Sequence, residues 1–589
     1  MSKVLELQQM LSDSTDSLAE QLINQWVIWN NQRGEWVASK SELRNYIFAT
    51  DTTTTTNSAL PWKNKTTLPK LCQIRDNLHS NYISALFPNE RWIRWEGRSL
   101  ADEQKRKTIE NYMYNIVDES GFREEMSKLL YDFIDYGNCF CTVDYVTERS
   151  NELTGGYVVD YAGPVLKRIA PTDITFNPTA PNFAVSPKYI RSIISEGELK
   201  QMAQDNPEDS ALADAMLRRE EFRNKVGIYT KEDFLKAEGF SMDGFGSFYE
   251  YLNSPQVEVI TFYGDYNDAQ SGTFKRKRKV TIIDRMFVIA DEEQDHAFAH
   301  APIFHCGWRV RQDNLYAMGP LDNLVGMQYR IDHLENLKAD VFDLIAFPPL
   351  KVKGDVEDFN WGPMEQIYMN SDGDVDMMAP NTQALQADMQ INLLETKMEE
   401  FAGAPREAMG IRTPGEKTAF EVQQLQNAAS RIFQEKITTF EIAVVEIVLN
   451  AMLESARRNL DTSRDVRYFD DDAGVNAFMS ITPQDLAARG RIRPVGARHF
   501  AEEAQIIQNL TGIANTAIWQ DVKPHVSTKR LSEMLSHVLN FGRWDIFEPN
   551  VAIAESQETQ GMMQQAQAMT EEEAGVPIDG GMGNEVGPQ

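Results

Sequence analysis

Between Pro320 and Ala346 the apolar residues Leu321, Leu324, Met327, Ile331, Leu334, Leu337, Val341 and Leu344 recur at intervals of 3, 3, 4, 3, 3, 4 and 3. Only an α-helix carries positions so spaced on one face, so this stretch predicts a long amphipathic helix. Pro320 suits its first turn, and Pro348 with Pro349 ends it. At ~1.5 Å per residue the segment is a rod of ~40 Å. A second helix is predicted at 382–402, with Leu385, Met389, Leu393, Met398 and Phe401 inward and Gly403 and Pro405 closing it. The insert between them, 347–381, holds two strand-like pieces, Leu350 to Lys353 and Gln366 to Met369. It is acidic: residues 350–380 include seven Asp/Glu and two Lys. A loop at 403–417, with Gly403, Pro405, Gly410, Pro414 and Gly415, leads to Thr418, which forms a capping box with Glu421. The helix that follows runs to about Leu460, or ~60 Å. A helix of that length predicts a larger assembly around it.

Residues 1–48 read as helical, with Trp26, Trp29 and Trp36. The threonine run Thr52 to Thr56, followed by Asn57, Ser58 and Pro61, reads as a loop or exposed arm. From Lys70 to Phe87, Leu71, Ile74, Leu78, Tyr82 and Leu86 mark an amphipathic helix stopped by Pro88. Helices are expected at 101–119 and 121–136, the second ending at Gly137. Strand character follows at 139–146, 156–175 and 257–290, with charged helices at 196–226. The first 310 residues are thus expected to form a mixed α+β body. Short strands are expected at 466–498 and helices at 499–548. From Trp544 to Gln589 there are nine Asp/Glu and no Lys, Arg or His. Such a tail is weakly ordered alone, although its Met/Ala/Gln stretch suits a helix packed against copies of itself.

A chain of 589 residues suggests about four domain-sized units. Lys plus Arg total 58 and Asp plus Glu 88, a formal net charge of −30. This balance argues against a protein that grips nucleic acid through a basic face. Four cysteines, Cys72, Cys139, Cys141 and Cys306, are too few for a disulfide scaffold and read as buried free thiols in a reducing compartment. The opening residues show no basic region followed by an apolar run, so no secretory signal is expected. The most apolar helical stretch, Ile442 to Leu453, contains Glu446 and is too short to span a bilayer.

Several motifs invite a chemical reading and fail on detail. GIRTPGEKT (410–418) approaches a phosphate loop, but Glu416 separates Gly415 from Lys417, and a helix precedes it where a strand is required. Asp372, Asp374 and Asp376 suggest a calcium loop, yet Met377 and Gln383 stand where Gly and Glu are needed. His296, His300 and His305 lack the spacing of a zinc site. The basic run Lys275 to Lys279 reads as a solvated edge strand, with a phosphate or partner contact as the sharper alternative. No catalytic constellation emerges, and no catalytic, cofactor or metal residue is assigned.

The order of these parts resembles the portal (head-to-tail connector) proteins of tailed bacteriophages, particularly the short-tailed kind. The residues that carry the resemblance are RIAPTDITFNP (168–178), GPLDNL (319–324), NLKADV (336–341), FPPLKVKGD (347–355), FAGAPREAMG (401–410) and TAFEVQQL (418–425). It implies an α+β, mainly helical portal fold assembled as a dodecameric ring at one capsid vertex of the virion. Residues 1–319 would be the wing, 320–346 and 382–402 the two stem helices, and 347–381 the clip. The tunnel loop would be 403–417, the long helix toward the crown 418–460, the returning wing strands 461–498 and the crown helices 499–548. Residues 549–589 would be an acidic tail or a barrel. The resemblance also implies DNA-channel contacts at Arg406, Arg412, Thr413 and Lys417. It implies partner contacts in the clip at Lys351, Lys353, Asp355, Glu357, Asp358 and Glu365. The implied partners are further copies of the chain, double-stranded DNA in transit, terminase, a tail adaptor, and major capsid and scaffolding proteins, with no membrane. Assembly in the host cytoplasm follows. No enzyme activity and no cofactor are expected, since in such systems the motor is a separate terminase. The competing classes are a nucleotide-hydrolysing motor, which needs the phosphate loop that Glu416 spoils, another virion protein such as an adaptor or internal head protein, and a cellular helical scaffold.

Overall fold

The computed structural model describes residues 16–87, 92–151, 157–205, 210–226, 256–268, 272–294, 298, 300–354, 373–378, 382–402, 434–460, 464–470 and 475–495. The chain divides into two compact units, Met1–Tyr468 with Ala477–Phe500, and Phe469–Asn476 with Ala501–Gln589. The described residues lie almost wholly in the first, which is mixed α+β.

Helices α1 (Ser17–Gln32) and α2 (Gly34–Ile47) open it. The threonine run then coils into two 3-10 turns, Thr52–Thr54 and Thr56–Ala59. It is no exposed arm: Thr52, Thr55 and Asn57 are buried. Threonine disfavours the α-helix, but its hydroxyl can bond nearby backbone, as Thr55 Oγ1 does to the Thr52 carbonyl at 3.1 Å. Helix α3 (Lys70–Leu86) buries the expected Leu71, Ile74, Leu78, Tyr82 and Leu86. Strand β1 (Ile93–Gly97) follows. The helix anticipated at 101–119 is two, α4 (Leu100–Glu103) and α5 (Arg106–Glu119). Helix α6 (Phe122–Asp135) buries Phe122, Met126, Leu129, Leu130, Phe133 and Ile134, a broad stripe of helical period. It stops at Gly137, whose φ of 69° suits glycine.

Strands β2 (Asn138–Asn151) and β3 (Tyr157–Ile169) form a long antiparallel hairpin. Then come β4 (Ile174–Phe176), β5 (Lys188–Ser195), α7 (Glu196–Asp205), α8 (Ser210–Val226), β6 (Gln256–Asn267), β7 (Phe274–Ile283) and β8 (Phe287–Glu293). The five strands form an antiparallel sheet in the order β4-β5-β6-β7-β8. Strand alternation gives this sheet two apolar faces. Ile260 and Phe262 of β6 meet Leu22 and Trp26 of α1, while Val257 and Val259 meet Leu199 of α7 and Leu212 of α8. The basic run lies on β7, an interior strand and not an edge. Its charges are tolerated there because β8 brings acids alongside: Arg278 pairs in register with Glu293 and Lys279 with Glu292, and Lys275 and Arg278 both bind Asp291 (3.1 and 2.8 Å).

Strands β9 (Ile303–Gly307), β10 (Arg309–Arg311) and β11 (Asn314–Met318) lead into a 3-10 turn, Asp322–Leu324, and helix α9 (Val325–Ala346). Strand β9 joins β2 and β3 in a sheet ordered β3-β2-β9. Strands β12 (Leu350–Lys353) and β13 (Asp374–Met377) pair antiparallel. A 3-10 turn, Thr382–Ala387, precedes α10 (Asp388–Ala402). Residues 434–440 are helical, run through a π-helical segment, Glu441–Val445, and continue as α11 (Glu446–Asn459). Strands β14 (Arg464–Asp470) and β15 (Val475–Ile481), helix α12 (Pro483–Leu486) and β16 (Gly490–Pro494) complete the described chain. Strand β16 returns to pair with β1, almost four hundred residues earlier in the sequence, with Trp95 opposite Ile492. The largest core gathers α3, α5, α6, α9, α10 and α11 around residues such as Leu129, Phe133, Ile331, Met398, Phe440 and Leu449. Each such fully buried side chain contributes about 1.5–3 kcal/mol of transfer free energy.

Candidate functional site

Helices α9 and α10 join the largest core, α9 as far as Leu334 and α10 from Ile391 to Ala402, and the hairpin β12–β13 lies between them in the chain. Leu321, Leu324, Ile331 and Leu334 are buried, as the helical stripe predicts, and Val341 is the last buried residue of α9. Beyond it Phe342, Leu344, Ile345 and Phe347 are all exposed, Phe342 at 52% and Phe347 at 73%. Helix α10 turns Ile391, Met398 and Ala402 inward. Three of the residues anticipated as inward, Met389 (82%), Leu393 (55%) and Phe401, face out. The helix therefore has two apolar faces, and among the described residues only one is covered. Lys338 of α9 bonds Asp388 at the start of α10 (2.7 Å), which ties the pair together.

The hairpin itself is polar on its strands. Lys351 lies opposite Asp376, and Lys353 opposite Asp374. Both lysines are exposed. Opposite charges in register contribute a few tenths of a kcal/mol and fix the register more than the stability. Gly354 has a φ of 79°, which glycine adopts without strain. The apolar Val352, Met377 and Met378 are also exposed, beside those charges. Of the sequence-based clip residues only Lys351 and Lys353 are described; Asp355, Glu357, Asp358 and Glu365 lie outside the described residues. So do all four channel residues, Arg406, Arg412, Thr413 and Lys417, together with the 410–418 motif and residues 499–589. Asp374 and Asp376 lie on β13, while Asp372 and His296 are outside the described residues.

The base of α9 carries features that apolar periodicity could not reveal. Gln328, Asp332 and Asn336 are buried, spaced four apart on one face. Residues 63–71 run antiparallel along that face. Gln328 donates to the Leu68 carbonyl (2.5 Å) and accepts from the Leu71 N–H (3.3 Å). Asp332 accepts from the Leu68 N–H (3.1 Å) and the Thr67 hydroxyl (3.0 Å). Asn336 accepts from the Thr66 N–H and donates to the Thr66 carbonyl, both at 2.7 Å. One turn further, Asp340 accepts from the N–H groups of Lys63 (3.2 Å) and Asn64 (3.0 Å). Burial pushes the Asp332 carboxyl up to about 6, although Leu68, Thr67 and Gln328 donate to it. Two buried ion pairs complete the base: Lys40 of α2 with Asp322, and Lys70 of α3 with Glu399 of α10 (2.6 Å).

A cleft of about 410 Å³ lies beside this base, lined among others by Arg75, Asp132, Asp135 and Arg168. Its central charges are spent on one another. Arg75 binds Asp135 (2.7 Å) and Arg168 binds Asp132 (2.5 Å), and the Arg75 guanidinium lies over the Tyr131 ring (4.1 Å). Burial raises Asp132 to about 6 despite Arg168. Such a lining supports packing more than ligand capture. Cys139, Cys141 and Cys306 are buried and free, as anticipated, whereas Cys72 is part-exposed. His305 stacks on Phe140, and burial with Lys188 nearby lowers it to about 3. Among the described residues, no group of three His, Cys, Asp or Glu is placed to hold a metal ion, and no helix is long and apolar enough to cross a membrane.

A scan against protein-family models finds no matching family, and a search among curated proteins finds no match.

Proposed function

We propose that this chain is the portal protein of a tailed phage. In this reading about twelve copies close into a ring at one capsid vertex, forming the channel through which the genome enters and leaves. Terminase and then a tail adaptor dock on the hairpin and the segment between its strands, and capsid and scaffolding proteins surround the ring. The chain itself catalyses nothing.

The observation that carries this reading is the end of the helix pair. Phe342, Leu344, Ile345 and Phe347 stand exposed beyond the last buried residue of α9, and Met389, Leu393 and Phe401 stand exposed along α10. A helix that is apolar beyond what its own chain covers has a partner surface. Covering these side chains would contribute on the order of 5 kcal/mol per protomer. A head-to-tail contact between copies that closes on itself gives a ring, and repeating one contact around a ring buries every such surface. The order of segments named in the sequence supports the portal assignment of that ring. The net charge of −30 suits a channel that does not hold phosphate.

Native mass spectrometry of the full chain, with negative-stain images, tests this. The expected species is a closed ring of about twelve copies with a central hole. Replacing Phe342 and Phe347 with Ser together should shift the population to smaller species while leaving the far-ultraviolet circular dichroism unchanged. A dispersed monomer at micromolar concentration, in the presence of scaffolding protein as well as alone, would overturn the reading.

A further inference from the structure

We propose that residues 60–69 form a strap that comes off helix α9 as one unit while the body stays folded, and that Asp332 is its proton-sensitive latch.

The strap is held mainly by polar groups; apart from α9, the Thr52 N–H donates to the Lys65 carbonyl (3.0 Å), and Leu68 alone of its side chains packs against the largest core. None of residues 61–69 is buried. Its contacts with α9 are the hydrogen bonds of Gln328, Asp332, Asn336 and Asp340 to successive backbone groups, the Asn64 side chain on Asp340 (2.8 Å) and Asp343 (2.9 Å), and the Trp62 ring edge-on to His333 (4.7 Å between centroids). Both ends are anchored. Asn57, on one side, is buried and donates to the Tyr329 carbonyl (3.4 Å), and Lys70 and Leu71, on the other, are buried in α3. Pro61 and Pro69 flank the free part, and neither has an N–H to lose when it lifts. A segment with few apolar contacts and fixed ends opens locally before the core does. While it is off, the polar face of α9 stands open to another extended backbone.

Asp332 links this opening to pH. It is fully buried under the strap and takes three donors: the Leu68 N–H, the Thr67 hydroxyl and the Gln328 amide (2.9 Å). No cation is among the groups that set its protonation. The nearby lysines are engaged elsewhere, Lys65 with the Ser58 and Leu60 carbonyls and Lys70 with Glu399. Tyr46 of α2 feels the Asp332 charge from another element; burial and that charge raise it, so it stays neutral. His333, which faces Trp62, is lowered by burial and by Arg330 and carries little charge above neutral pH. With the strap closed, Asp332 binds its proton at about 6; lifted into water, it returns to the ordinary carboxylate range. The closed strap therefore holds the proton more tightly, and opening becomes easier as pH rises. Between pH 5 and 7.5 the opening equilibrium should grow on the order of tenfold.

Hydrogen–deuterium exchange of the full chain, corrected for intrinsic rates, reads this directly. The expected result is that peptides covering 63–68 exchange together and faster than those of α6. Their protection should fall on the order of tenfold from pH 5 to 7.5, while Asp332→Asn removes that dependence. Asn336→Ala should raise exchange of the same peptides at every pH. The proposal is overturned if the strap amides exchange only in step with α6, or if their corrected pH dependence is the same in Asp332→Asn as in the native chain.

Discussion

Three asparagines perform one task at three places. Asn336 clamps both backbone groups of Thr66. Asn138 does the same for Ala317, accepting its N–H and donating to its carbonyl, both at 3.2 Å. Asn450 of α11 accepts from the Ile492 N–H (2.9 Å) and donates to its carbonyl (2.9 Å). A side-chain amide has the same donor and acceptor as a peptide group, so each asparagine acts as one residue of a missing strand. Asn450 thereby anchors β16, the strand that closes the core against β1. Asn450→Ala leaves two backbone groups beside a core residue without partners, and each orphan costs about 1–3 kcal/mol. The expected loss is about 2–3 kcal/mol in urea denaturation, with α11 still helical. A loss below about 0.5 kcal/mol would show that water replaces the amide at no cost. None of this was legible in the sequence, where Asn is common in turns and no periodicity marks a clamp.

Elements were legible where one periodicity decides burial. The stripe that runs into α9 holds at Leu321, Leu324, Ile331, Leu334 and Val341 but not at Leu337 and Leu344, which are exposed. That of α3 is where the sequence places it, and so is the stop at Gly137. There a Cβ would come within 2.4 Å of the Gly319 nitrogen and the Met318 carbonyl carbon, in addition to the strain of positive φ. Gly137→Ala should cost more than the ~1 kcal/mol of αL strain alone. Overpacking of backbone adds about 1–3 kcal/mol. A thermal melt checks this, and a variant as stable as the parent would show that β2 can shift away from β11. Elements failed where neighbours decide. The basic run alternates as a strand, but only the sheet order puts it between β6 and β8, facing Asp291. Met389 and Phe401 fit a helical stripe, yet they lie on the face α10 leaves uncovered.

At the scale of the whole molecule, buried charge shapes the response to pH. Asp132 is 3% exposed and held up to about 6 by burial. Its folded value exceeds its unfolded value, so between about pH 4 and 6 the folded chain holds a proton the unfolded chain has lost. Its contribution to stability is then greatest near pH 4, falls as pH rises through 6 and is constant above. Lys188, 1% exposed, is lowered by burial to about 8. Below 8 its buried charge costs stability in full, and that cost fades between about 8 and 10.5. The measurement is the urea midpoint of native chain and Asp132→Asn across pH 4 to 7. The advantage of the native chain over the variant should shrink by about 2 kcal/mol between pH 4 and 7. A difference independent of pH would mean that Arg168 keeps Asp132 ionised throughout.

The sequence by itself determined the helices whose apolar positions repeat at 3 and 4, the strand blocks, the breaks at Gly137 and Pro348, and the acidic character of the chain. Those depend on local geometry and composition, which a chain carries wherever it goes. Tertiary structure alone decided that Gln328, Asp332 and Asn336 bind a strap, that β7 is interior, and that β1 meets β16. Polar side chains spaced four apart look like a solvated helix face until another segment of chain lies across them, because hydrogen bonds depend on which partner arrives and apolar burial does not.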